Sequence, residues 1–100
     1  MVSRPLAGRV ALVTGASKNI GKGIALEVAA SGALTYVTAR SLADVPGQLA
    51  SLQRTVAEIE ALGGKAVAVA CDHTDDAQVE AVFQRIREEQ GRLDLVVNVA

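Results

Sequence analysis

Leu12-Val13-Thr14-Gly15-Ala16-Ser17-Lys18-Asn19-Ile20-Gly21-Lys22-Gly23-Ile24 is the stretch that decides the fold. An apolar run stops at a glycine, a short turn of small and polar residues follows, and a helical apolar rhythm starts at Ile20. Such a succession encodes a strand, a loop with room for phosphate, and a helix N-terminus. Backbone turning from strand into helix aims unpaired N–H groups at one point, and the helix dipole adds about half a positive charge there. Gly15 is expected to make the tight turn, Gly21 to permit close approach, and Gly23 to let the helix lie near the sheet. A P-loop is the nearest rival. Gly23, however, stands where Mg²⁺ chemistry needs a Ser or Thr hydroxyl.

Outward from this stretch the same alternation continues. Val10 to Val13 is the first strand. Ile20, Ile24 and Val28, with Ala25 and Ala29 beside them, give the first helix, and Gly32 its C-cap. Leu34 to Ala39 is a second strand. Ser41 to Gln48, with Pro46-Gly47, is expected to be loop. Leu49, Leu52, Val56, Ile59 and Leu62 line a second helix ended by Gly63-Gly64. Ala66 to Ala70 is a third strand. Asp72-His73-Thr74 is a loop, with Thr74 or Asp75 as the next N-cap. Val79, Val82, Phe83 and Ile86 line a third helix closed by Gly91, and Leu93 to Val97 is a fourth strand.

The order β-α-β-α-β-α-β, with strands buried on both faces and one-sided helices, predicts an α/β fold. It is a Rossmann-type doubly wound parallel sheet in three layers, α/β/α. In the strand order 3-2-1-4-5-6 the fourth strand opens the second half. Its outer edge would be bare and apolar, a liability for a parallel sheet. Residues 1–100 are therefore expected to be the N-terminal part of a single NAD(P)-binding domain whose remainder lies beyond residue 100.

Composition narrows the classes of partner. The chain has 100 residues, half of them hydrophobic, and a net charge of −1 with a pI near 5.7. Neither a polyanion nor a membrane patch is indicated. Tyr36 and Phe83 are the two aromatics, too few for a base-stacking surface, so no nucleic-acid partner is expected. No stretch approaches the ~20 apolar residues of a membrane helix. The single Cys71 forms no internal disulfide and fits a reducing, cytoplasmic setting.

Thr14-Gly15-Ala16-Ser17-Lys18-Asn19-Ile20-Gly21 resembles the Thr-Gly-x-x-x-Gly-x-Gly signature of the classical short-chain dehydrogenases/reductases. Leu93-Asp94-Leu95-Val96-Val97-Asn98-Val99-Ala100 is similar to the strand entering that family's Asn-Asn-Ala-Gly motif, and Cys71-Asp72 to the acidic residue ending its third strand. Two positions depart from the pattern. Asn19 stands for the middle glycine, and Asn tolerates left-handed backbone better than other side chains. Val99 stands for the second Asn, where a side-chain contact is lost and backbone contacts persist. The resemblance implies cofactor contacts from Gly15, Ser17, Lys18, Asn19, Ile20, Gly21, Arg40, Asp72, His73, Asn98 and Ala100. No metal is expected, because His73 has only Asp72, Asp75 and Asp76 as candidate partners and there is no second His or thiol set. The resemblance also implies a homo-oligomer, a dimer or tetramer, at full length.

The identity of the cofactor turns on the end of the second strand. An NAD site of this type carries an acid there, on the ribose 2′-hydroxyl. This chain has Ala39-Arg40, and the first acid beyond Glu27 is Asp44. A guanidinium suits a 2′-phosphate that an acid would repel, and the resemblance makes Lys18 a second basic contact. Two such bonds at roughly 1.5–3 kcal/mol each shift preference by one to several decades. NADP(H) is therefore expected over NAD(H); a solvated strand-end Arg40 and a surface Lys18 are the bland alternatives. Asp72 is expected at the adenine amino group, with the His73 backbone N–H nearby, or else as a helix cap. Asn98 either contacts cofactor or simply ends its strand. Cys71 reads as a core residue.

The resemblance implies hydride transfer between nicotinamide and an alcohol or carbonyl substrate, with a Ser and a Tyr-x-x-x-Lys pair that follow this segment. Tyr36-Val37-Thr38-Ala39-Arg40 imitates the pair but lacks the lysine and lies in a strand, so Tyr36 reads as packing. No catalytic residue is expected within residues 1–100. A nucleotide-binding or sensing module without chemistry is the alternative on the same fold. Glu58 and Glu60 on the second helix, and Arg85, Arg87, Glu88 and Glu89 on the third, read as solvated faces.

Overall fold

A computed structural model describes residues 5–15, 19–39 and 47–99, with backbone alone at 19 and 47–51. The elements are β1 (Val10–Thr14), α1 (Asn19–Ala30), β2 (Leu34–Ala39), α2 (Gly47–Ala61), β3 (Lys65–Ala70), α3 (Asp76–Gln90) and β4 (Leu95–Asn98). The four strands form one sheet in the order β3-β2-β1-β4. All three pairings are parallel: Val10 to Val13 face Leu34 to Val37, Ala11 to Thr14 face Leu95 to Asn98, and Leu34 to Ala39 face Lys65 to Ala70. The doubly wound α/β architecture expected from the alternation is the one observed.

Side chains alternate across the sheet, as strand geometry requires. Val13 and Val37 point to one face, where Ala25 and Ala29 of α1 and Leu52 and Ile59 of α2 cover them. Leu12 and Tyr36 point to the other, against Cys71 and against Val82 and Ile86 of α3. The chain thus changes faces between α2 and α3. β1 and β4 flank the resulting switch point, where a doubly wound sheet leaves a crevice beyond its strand ends.

Several local expectations need correction. The strip of α1 on the sheet is Gly21, Ala25 and Ala29, all buried, whereas Ile20 is 73% exposed and Ile24 and Val28 are half-buried. Small residues four apart form one stripe and let the helix backbone come close. Gly23, two residues on from Gly21 and about 200° around the axis, is exposed. Among the described residues nothing lies within 4 Å of a Cβ placed on it. Gly23 therefore does not serve helix–sheet approach.

Gly47 and Gln48 are helical, not loop, because a first turn has unpaired N–H groups and tolerates such residues. The rest of that expected loop, Ser41 to Pro46, lies outside the described residues. Burial on both faces holds for β1 and β2, while β3 is half-buried through its middle and β4 alternates half-buried and exposed. These two are the strands with a neighbour on one side alone. Leu62 and Phe83 are exposed at 60% and 39%, off the stripes assigned to them.

Four charged residues read as solvated, Glu58, Arg85, Glu88 and Glu89, have side-chain partners instead, Glu88 accepting from Gln84 Nε2 at 3.1 Å. Glu58 accepts from Lys22 Nζ at 2.6 Å, joining α2 to α1. Glu89 accepts from the Tyr36 hydroxyl at 2.5 Å and pairs with Arg85 at 3.2 Å.

Candidate cofactor site

The C-terminal ends of the parallel strands bring the sequence-predicted residues to one rim. β1 runs into Thr14-Gly15, which sits beside the exit of β4. The Thr14 hydroxyl donates to Asn98 Oδ1 at 2.8 Å and accepts from the Val99 N–H at 3.1 Å. Gly15 has φ +67°, and a Cβ placed there would stand 2.9 Å from the Val99 carbonyl oxygen. Glycine is needed twice over, for the left-handed backbone and for close approach of two chain segments. Beyond this turn α1 opens at Asn19 with no acid in its first turn, which leaves its positive end uncompensated by carboxylate. Ile20 holds an apolar side chain in the open at that mouth.

The loop after β3 carries the other group. Asp72 Oδ1 accepts from the Thr74 N–H at 2.9 Å and from the Thr74 hydroxyl at 2.7 Å, closing an Asx turn. The Asp72 N–H donates to Gln78 Oε1 at 2.8 Å. Asp72 is not the helix cap. That role falls to Asp75, in extended backbone, whose Oδ1 accepts from the Ala77 N–H at 3.0 Å. The His73 Nε2 lies 2.9 Å from the hydroxyl of Thr38, a residue with no exposed surface near the end of β2. Cys71 is fully buried, and burial, reinforced by Asp72 and Asp75, pushes its thiol above the ordinary range. It has the environment of a core residue, not of a nucleophile.

Gly15, Ile20, Gly21, Asp72, His73 and Asn98 therefore meet at one end of the sheet. The backbone of Asn19 joins them. Ser17, Lys18, Arg40 and Ala100 lie outside the described residues. Thr14 and Thr38 were missed as site residues. The available signal was a hydroxyl near the C-terminal end of a buried aliphatic strand, where it must find a partner. Tyr36 is fully buried and points away from the rim. Burial and the Glu89 acceptor push its phenol pKa up, the reverse of what a catalytic proton donor near neutrality needs.

The family model for the short chain dehydrogenase matches residues 9–100. The chain belongs to this family. Among known members it is 42% identical over 97 residues to the mouse protein "Dehydrogenase/reductase SDR family member 1", covering 96% of this chain and 29% of that one. It is 46% identical over 95 residues to "Hydroxynaphthalene reductase-like protein Arp2" of Metarhizium brunneum, covering 95% and 33%. Its fold superposes with a TM-score of 0.86 on a metagenomic short-chain oxidoreductase solved in complex with NADP, at 36% identity, covering 96% of this chain and 40% of that one. The chain thus spans about a third of the length of these short-chain dehydrogenase relatives.

Proposed function

We propose that this chain is the N-terminal, dinucleotide-binding part of a single domain in an NADP(H)-dependent oxidoreductase acting on a small alcohol or carbonyl substrate. The observation that carries the reading is Gly15 against Val99. The switch-point crevice has at its base a position where any Cβ would collide with backbone, directly before a helix mouth free of acids. A diphosphate fits such a cradle. When bound, the cofactor supplies or accepts the hydride.

This chain's own residues bind and orient. Main-chain amides from Gly15 to Gly21 hold the diphosphate, with Ser17 and Asn19 beside it, and Ile20 gives the dinucleotide an apolar surface. Asn98, held by Thr14, and Ala100 line the opposite wall. Asp72 and the His73 N–H face the adenine. Arg40 and Lys18 take the 2′-phosphate, which favours NADPH over NADH. The NADP in the metagenomic relative is in keeping with this choice. The proton donor, with the Ser and the Tyr-x-x-x-Lys pair that the family uses, belongs to residues after 100. A homo-oligomer in the cytoplasm completes the proposal; among the described residues no helix is long and apolar enough to cross a membrane.

Titration of the complete native polypeptide with NADPH and NADH tests the reading. Arg40→Ala should weaken NADPH binding by about tenfold or more and leave NADH nearly unchanged, the signature of one lost charge-assisted contact. Equal losses for both cofactors would refute the 2′-phosphate assignment.

A further inference from the structure

His73 is exposed, yet its ring is not left to water. Nε2 lies 2.9 Å from Thr38 Oγ1, and Thr38 has no exposed surface. A buried hydroxyl needs a partner, and here an exposed loop residue 35 positions away supplies it. The β2–β3 ladder ends at Ala39 and Ala70, and the Cys71 N–H continues it onto the Ala39 carbonyl at 2.9 Å. Past that bond the chain leaves the sheet. The next side-chain bonds of the loop, Asp72 to Thr74 and Gln78 to the Asp72 N–H, are local to the loop and the start of α3. These bonds shape the loop itself. The His73 ring reaches across to the neighbouring strand, because its bond ends on Thr38 of β2.

We propose that His73 is a positioning residue whose imidazole, seated on Thr38 Oγ1, fixes the adenine edge of the cofactor crevice against the end of β2. This rests on the dinucleotide reading above. With the ring held, the His73 N–H and the Asp72 carboxylate keep one direction relative to β2. The spacing between the adenine side of the crevice and the end of β2 is then set before ligand arrives. Pre-set geometry improves affinity by lowering the ordering cost of binding. The bond survives in either histidine tautomer, since the hydroxyl both donates and accepts.

The test uses the complete native polypeptide as wild type, His73→Ala, Thr38→Val, the double variant and His73→Gln. Each is titrated with NADPH, NADH and the hypoxanthine analogue of NADPH. His73→Ala and Thr38→Val should each weaken both natural cofactors by about tenfold, the scale of one hydrogen bond. The double variant should lose no more than either single one, because the two changes remove the same contact. His73→Gln, whose side-chain amide reaches where Nε2 lies, should recover most of the affinity. The analogue lacks the adenine amino group and presents an N–H at ring position 1, so His73→Ala should cost it much less.

Additive losses, absence of rescue, or an equal loss for the analogue would overturn the proposal. Should Thr38→Val fail to fold, the exposed His73 variants still decide it through rescue and analogue. A wild type that binds neither dinucleotide overturns the cofactor reading itself. A wild type that binds, with variants that bind equally well, overturns the positioning role alone.

Discussion

At the N-terminal edge of the sheet, Asp94 accepts the Val10 N–H at 2.8 Å and two bonds from Arg92 at 2.9 and 2.7 Å, with Arg9 at 3.5 Å. At the C-terminal rim, β1 and β4 are joined again, but by the neutral Thr14 hydroxyl on Asn98 and Val99. The same pair of strands is fastened by ions at one end and by a hydroxyl at the other. Arginines exposed by about half are screened by water and salt, so the lower clamp chiefly fixes register. The upper bond places no charge beneath the helix mouth where a diphosphate is proposed. Ionic fastening is kept at the end of the sheet away from that site.

Gly8 and Gly15 bracket β1 and give the sharpest way to break this comparison. Both have positive φ, +80° and +67°. A Cβ on Gly8 meets nothing within 4 Å among the described residues, whereas one on Gly15 meets the Val99 oxygen at 2.9 Å. Each Ala variant should lose about 1–2 kcal/mol of stability through left-handed backbone, read from denaturant midpoints. Gly15→Ala should also lower NADPH affinity by roughly a hundredfold, the scale on which a misplaced binding loop acts. Gly8→Ala should leave affinity unchanged. Equal affinity losses would mean that the two ends of β1 are not functionally distinct.

Thr14→Val comes next in size. Thr14 is 5% exposed, and its loss leaves Asn98 Oδ1 and the Val99 N–H without this partner. Such a change costs about 1–3 kcal/mol, and NADPH affinity should fall about tenfold as the β4 exit loosens, with Thr14→Ser restoring both. A stability loss with affinity intact would make Thr14 a purely structural fastener.

Much of this was legible in the sequence because it is local. Aliphatic runs such as Val10 to Val13 announce strands, and Thr14-Gly15 announces the turn. The side chains that tie the rim together were not legible, since Thr14 meets Asn98 across 84 positions and Thr38 meets His73 across 35. No periodicity reports such a meeting. The face of α1 was misassigned for another reason. Ile20, Ile24 and Val28 run parallel to Gly21, Ala25 and Ala29, one residue apart, and hydrophobicity favours the bulkier line. Close approach to a flat parallel sheet favours the smaller one. Asp72 and Asp75 compete for the cap on equal chemistry, and the Asx turn at Thr74, visible only in three dimensions, leaves the cap to Asp75.

The smallest expected effect lies at the lower clamp and shows itself in acid. The Asp94 carboxyl is held down to about 2, first by the Arg92 hydrogen bonds and then by the Val10 N–H. Unfolded, it titrates near the ordinary value of about 4. Between those two values the unfolded chain takes up a proton that the folded chain refuses. The clamp's contribution is therefore complete above about pH 4 and is lost as pH falls through about 2. Glu89, whose pKa is lowered by Tyr36 and then Arg85, adds to the same acid slope in every variant. The difference between wild type and Asp94→Asn isolates the clamp. It should shrink steadily from pH 4 downward in denaturant titrations, while NADPH affinity at neutral pH stays the same. A stability difference that stays constant through the acid range would show that the ion pairs fasten nothing. A fall in affinity would show that the two ends of β1 and β4 act as one unit, and the contrast between them would collapse.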